Sequence, residues 1–93
     1  MVDTEKLGVV EGFLRKELPG CTIEHGRGSE GHTLQINFEG SNYTVILSDE
    51  FVRGHEPSEI GGKLTGYTLI EHLRELPDTP LVVTNTGLRL QYD

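Results

Sequence analysis

Tryptophan is absent from this sequence, and cysteine occurs once, at Cys21. A single thiol excludes an intrachain disulfide and a cysteine-built metal cage. Burial is its expected fate, since free cysteine is among the most buried residue types. Aromatic residues are limited to three Phe and three Tyr, which with twelve glycines describe a loop-rich domain. Positive charge is scarce as well: eight Lys and Arg face fifteen Asp and Glu, for a net charge of −7. Repulsion at that charge opposes nucleic acid and anionic membrane surfaces, so neither is expected as a partner, whereas a basic or neutral protein is. No stretch approaches the roughly 20 apolar residues that a membrane-spanning helix needs. The amino terminus has neither the basic start nor the apolar run of a secretory signal, so a cytoplasmic protein is expected.

What the sequence does have is pattern. Ninety-three residues suit one domain, 1–93, and its clearest segment is HTLQINFEGSNYTVILS, His32 to Ser48. Leu34, Ile36 and Phe38 alternate with polar residues, and Tyr43, Val45 and Leu47 do so again, which is the period of a half-buried strand. Gly40 and Ser41 suit a two-residue hairpin turn whose first central residue has φ > 0. That turn predicts Phe38 opposite Tyr43, Ile36 opposite Val45 and Leu34 opposite Leu47, with all six on one face.

On the amino-terminal side, residues 3–18 read as an amphipathic helix. Asp3 or Thr4 caps it, Leu7, Val10, Leu14 and Leu18 form its stripe, and Pro19-Gly20 ends it. Gly8 and Gly12 weaken it, and their spacing suggests a close approach to the sheet. Cys21 to His25 makes a short strand. Residues 49–64 contain Pro57 and three glycines and read as an irregular linker, with helical turns available at 49–53 and 57–60. A second helix is expected from Thr65 or Gly66 to Leu76. A closing hairpin comes next, Leu81–Thr84 with Leu88–Tyr92, and Val83 is expected opposite Leu88. The order α-β-β-β-α-β-β predicts an α+β two-layer sandwich: an antiparallel sheet of about five strands with two helices on one face. The other face would carry Thr22, Glu24, Thr33, Gln35, Asn37, Thr44 and Ile46, polar and almost uncharged.

Three groups of residues are candidates for chemistry. Gly26-Arg27-Gly28-Ser29-Glu30-Gly31 matches G-x-G-x-x-G, but a dinucleotide site needs a helix directly after the loop, and here a strand follows. What remains is an anion- or ligand-binding loop built on Arg27, Gly28 and Ser29. His25 and His32 bracket that loop, opposite each other across a strand pair, and are candidate metal ligands if Glu24 or Glu30 completes a set of three. In the linker, Phe51, Val52 and Ile60 are apolar among charge, Gly and Pro. They either close one end of the core or, with Arg53 and His55, form a partner-binding surface. No activated Ser or Cys with a positioned base is visible, and no cofactor is implied.

These residues favour a small acidic, non-enzymatic protein-interaction module whose partner is another protein or a second copy of itself. A small-molecule, anion or metal-binding protein using the 25–32 loop is the alternative of another class. The element order resembles the helix, three strands, helix, two strands of class I type III secretion chaperones. That resemblance implies a small acidic homodimer.

Overall fold

A computed structural model describes residues 4–28, 31–75 and 79–90. Its elements are α1 (Thr4–Glu17), β1 (Thr22–Arg27), β2 (Gly31–Phe38), β3 (Ser41–Ser48), α2 (Asp49–Gly54), α3 (Pro57–Gly66), α4 (Leu69–Glu75), β4 (Leu81–Thr84) and β5 (Gly87–Leu90). The class is α+β, and helices and strands follow the predicted order. The expected cap at Asp3, the helix end at Leu76 and the strand end at Tyr92 lie outside the described residues.

Leu7, Val10 and Leu14 recur at three- and four-residue steps on α1, and with Leu18 just beyond it they are buried. Each such side chain contributes roughly 1.5–3 kcal/mol when removed from water. Gly8 and Gly12 do not mediate a close approach, because both are exposed and a Cβ on either would meet nothing within 4 Å. Both lie off the buried stripe, so the helix tolerates them rather than needs them.

The five strands lie in the order β1-β2-β3-β4-β5. Inward-facing Leu34, Ile36, Val45, Leu47, Leu81 and Val83 share one core with Leu7, Val10 and Leu14 of α1, Phe51 of α2, Ile60 and Leu64 of α3, and Leu69 and Leu73 of α4. Every helix therefore contributes to the layer on that face. Val83 pairs with Leu88, as expected.

The hairpin register is shifted by two residues from the expected one. Phe38 pairs with Ser41, Ile36 with Tyr43 and Leu34 with Val45. The turn is Glu39-Gly40, with φ of 51° and 82°, the pair of positive angles that a tight I′ turn needs. A shift of two preserves every side chain's face. The turn has two residues in either register, and moving it back by one closes the ladder on Phe38 and Ser41. On the outer face Asn37 Nδ2 donates to Asn42 Oδ1 at 3.1 Å, and Thr44 Oγ1 donates to Gln35 Oε1 at 3.1 Å.

The chain beyond β3 departs from expectation in two further ways. The sheet is antiparallel except that β3 and β4 run parallel, with Val45, Ile46 and Leu47 beside Leu81, Val82 and Val83. A parallel pair needs a crossover of a dozen or more residues, and residues 49–80 supply it. Ile46 and Val82 are register neighbours on the outer face, and both are buried. The crossover is helical rather than irregular. Ser48 Oγ accepts from the Phe51 N–H at 3.1 Å and starts α2. Glu59 Oε1 accepts from the Glu56 N–H at 2.8 Å, and Pro57 occupies the first turn of α3. The expected second helix is consequently divided. Thr65 and Gly66 end α3, Thr68 sits at φ 53°, and α4 begins at Leu69.

Candidate functional site

A connected group of polar side chains lies where Glu11 of α1 meets β1 and β2. Strand alternation aims His25 and Arg27 of β1 and His32 of β2 toward the helix layer, the face that also carries Ile23 and Leu34. Glu11 reaches them from the flank of α1. Its Oε1 lies 2.6 Å from His25 Nε2, and His25 Nδ1 lies 2.8 Å from His32 Nε2. The two histidines meet, but they are not directly opposite each other as the sequence suggests. His25 pairs with Leu34 and His32 with Arg27, so the imidazoles meet diagonally.

The arrangement is a three-membered hydrogen-bond chain. An acceptor carboxylate fixes a proton on His25 Nε2 and leaves His25 Nδ1 to face His32 Nε2. Beside it, Arg27 Nη2 donates to Asp49 Oδ2 at 2.7 Å. That contact holds the Asp49 carboxyl below its ordinary range and the Arg27 guanidinium above its own. His32 is pushed down, first by burial and then by the positive charge of His25 and Arg27, with Glu11 opposing them. Arg15 Nη2 approaches Glu11 Oε1 at 3.9 Å, one helical turn along.

The geometry weighs against a metal centre at His25 and His32. Two nitrogens on one tetrahedral zinc lie about 3.3 Å apart with their lone pairs converging on the ion. Here the nitrogens are 2.8 Å apart while the ring centroids are 5.0 Å apart. Those two distances together describe rings pointing straight at each other across a shared proton. Glu24, expected as a third ligand, is on the opposite face of β1, and Glu30 lies outside the described residues. Among the described residues no three His, Cys, Asp or Glu side chains are grouped to hold a metal ion.

The remaining candidates separate. Arg27 of the proposed anion loop is engaged by Asp49, and the Gly28 N–H donates to the Gly31 carbonyl at 2.9 Å, so neither is directed at a ligand. Ser29 lies outside the described residues. Of the five linker candidates, Phe51 and Ile60 are buried and offer a partner no surface, Val52 and His55 are partly buried, and only Arg53 is exposed. His55 Nδ1–H donates to the Phe51 carbonyl at 2.9 Å, and its ring lies 4.6 Å from that of Phe51. Both are fastened to α2. Phe51 thus closes the core at the end of the crossover, and the predicted partner surface is broken up by its own burial.

One hydroxyl–imidazole pair has no counterpart among the sequence candidates. Thr68 Oγ1 is 3.0 Å from His72 Nδ1, but it already donates to the Tyr67 carbonyl at 2.6 Å. His72 Nδ1 also lies 2.9 Å from the Thr68 carbonyl, which can only accept, so Nδ1 carries its proton toward that oxygen and the pair is not a nucleophile and base. Sequence reasoning also missed Glu11 and Asp49 as partners of His25 and Arg27, since each contact joins elements distant along the chain. Among the described residues no helix is long and apolar enough to cross a membrane. Set against models of known families, curated proteins and solved structures, the chain matches none.

Proposed function

We propose that this chain is a small non-enzymatic protein-interaction module, and that β1 is the element that accepts the partner. The observation that carries the proposal is the exposure of β1: five of its six residues are exposed and only Ile23 is partly buried. It is an edge strand, bonded to β2 on one side alone. Such an edge presents a row of unpaired N–H and C=O groups to which an extended segment of another protein adds as a further strand. No proline interrupts it, and Glu24, His25 and Arg27 keep it soluble without removing its backbone groups. The net charge of −7 favours a basic or neutral segment. Pairing with a second copy is less favourable. The two best-overlapped antiparallel registers of β1 with its symmetry mate bring Glu24 against Glu24 or His25 against His25.

The test is selection of extended peptides from a random display library on the immobilised protein, followed by amide NMR of the protein with a selected peptide. Supporting behaviour is slowed exchange and shifts concentrated at residues 22–27, lost when Glu24 or His25 is replaced by proline at whichever position points its N–H outward. Binders that perturb the helix layer instead, or a library that yields none, would remove the proposal. Concentration-dependent broadening of β1 in the protein alone would reassign the edge to a second copy.

A further inference from the structure

The geometry points to Glu11, His25 and His32 forming a proton-counting latch: the chain of hydrogen bonds stays closed with no extra proton or one, and opens when a second arrives. This inference stands on side-chain geometry and does not require β1 to bind anything.

Counting protons over the two contacts gives the result. With both imidazoles neutral, His25 carries its proton on Nε2, donating to Glu11 at 2.6 Å. His25 Nδ1 then accepts from His32 Nε2–H across 2.8 Å. One added proton does not break this chain. Placed on His25 Nδ1, it reverses the inner bond, so that His25 donates to both neighbours while His32 accepts through Nε2 and holds its own proton on Nδ1. The positive charge is then centred between the Glu11 carboxylate and a neutral imidazole. A second proton has no such place. With both rings fully protonated, His25 Nδ1–H and His32 Nε2–H point at each other along the line joining the ring centroids, 5.0 Å apart. No acceptor remains between them, and the contact must open.

The surroundings reinforce the order of events. From β1, Arg27 adds positive charge beside His32; from α2, Asp49 is engaged by Arg27, with Arg53 also acting on it; from α1, Arg15 lies close to Glu11. Burial, His25 and Arg27 oppose the charged form of His32, and Glu11 favours it. Glu24 points to the other face of β1, and Glu30 lies outside the described residues.

Opening has a structural consequence because β1 is an exposed edge strand with few ties. Apart from its ladder to β2, it is held by Ile23 packed against the core, by the Arg27–Asp49 ion pair to α2 and by the Glu11–His25 contact to α1. The second proton therefore loosens β1 against β2 at the His25–His32 contact, while Glu11 still accepts from His25 Nε2–H and the core beneath β2–β4 stays closed. The device couples acidity to the mobility of the sheet edge.

The experiment is a histidine NMR titration of the intact protein from about pH 8 to about pH 4, reading imidazole nitrogen shifts together with amide exchange at residues 22–27. His32 is expected to change tautomer, from Nε2–H to Nδ1–H, as the pair takes its first proton. The second proton is expected to raise exchange in β1 by about tenfold or more after correction for intrinsic rates. His32→Gln supplies the discriminating variant, because its amide can donate to or accept from His25 and cannot be protonated. It should keep β1 protected through the acid range. Independent titration of the two histidines without a tautomer change, or an acid step in β1 that persists in His32→Gln, would overturn the inference. The wild-type titration decides the tautomer question alone should the variant fail to fold.

Discussion

Replacing Gly31 by alanine tests the hairpin more sharply than any core truncation. Gly31 begins β2, pairs with Ser48 and has φ +155°, where residues with side chains are rare. A Cβ there would run into the Leu47 carbonyl oxygen and sit 3.0 Å from both Leu47 C and Ser48 Cα. These are backbone atoms, so no side-chain rotation relieves the contact, and the end of β2 must move off β3. That movement loosens the Gly31–Ser48 and His32–Leu47 rungs, one of which exchanges a pair of hydrogen bonds worth about 1 kcal/mol each. Forcing the backbone angle on alanine adds roughly 1–3 kcal/mol. The expected destabilisation is about 3–5 kcal/mol, against the roughly 5–15 kcal/mol that such a domain has in total.

Urea unfolding followed by circular dichroism measures it, with the midpoint falling and the slope unchanged. Gly26→Ala is the internal control: the added Cβ would meet nothing within 4 Å on the exposed edge strand, so its effect should stay within about 0.5 kcal/mol. Ser48 also caps α2, so the Gly31→Ala protein should show shifted amides at Ser48–Phe51. A loss below about 1 kcal/mol, or equal losses for the two variants, would mean that β2 and β3 do not approach this closely at Gly31.

Gly8→Ala with Gly12→Ala should stabilise the protein by up to about 2 kcal/mol, read as a rise in the thermal midpoint, since both positions are helical, exposed and open. Glu39→Asn creates Asn-Gly in a turn whose first residue has φ 51°; a gain of about 0.5–1 kcal/mol in urea unfolding is expected. The Arg27–Asp49 contact sets a pH dependence of known sign. Asp49 is held below its usual 3.8 by the Arg27 hydrogen bond, so the stabilisation is present above that value and fades as pH falls through the lowered one. In Arg27→Ala, carboxyl and imidazole NMR should show Asp49 and His32 both titrating at higher pH, because Arg27 lowers each of them. His32 runs in the same direction from 6.5: its depressed value means that acid favours the unfolded chain below that pH.

Period-two alternation was enough to find β2 and β3 and to assign their faces, because face depends on parity alone and survives a shift of two. Register depended on the turn, and there local preference misleads. Glycine at the first turn position favours Gly40-Ser41, whereas the longer ladder and the Asn37–Asn42 bond favour Glu39-Gly40 and force a glutamate to positive φ. The parallel pairing of β3 and β4 did have a signal. Val45-Ile46-Leu47 and Leu81-Val82-Val83 are unbroken apolar triplets rather than alternating ones, as strands covered on both faces read. The helical crossover was half legible. Ser48 three residues before Phe51, and Glu56-Pro57 three before Glu59, are helix starts, but three glycines between residues 49 and 64 concealed how far α3 continues.

The candidate site divides along the same line. His25 and His32 flank a short glycine-rich connection, and any hairpin closing there brings them near each other, so their meeting was readable. Their chemistry was not, because it depends on a third residue. Fourteen positions separate Glu11 from His25, and on a helical wheel Glu11 is simply the polar residue beside Val10. Only the angle at which α1 lies over the sheet makes that flank overhang β1. The angle is set by where Leu7, Val10 and Leu14 find room against Ile60 and Leu64, which belong to a helix hidden in the apparent linker. A carboxylate at that point changes the histidine pair from two unanchored ligands into a chain with a fixed proton at one end. The same two imidazoles without it would have no preferred direction of donation and no reason to count protons.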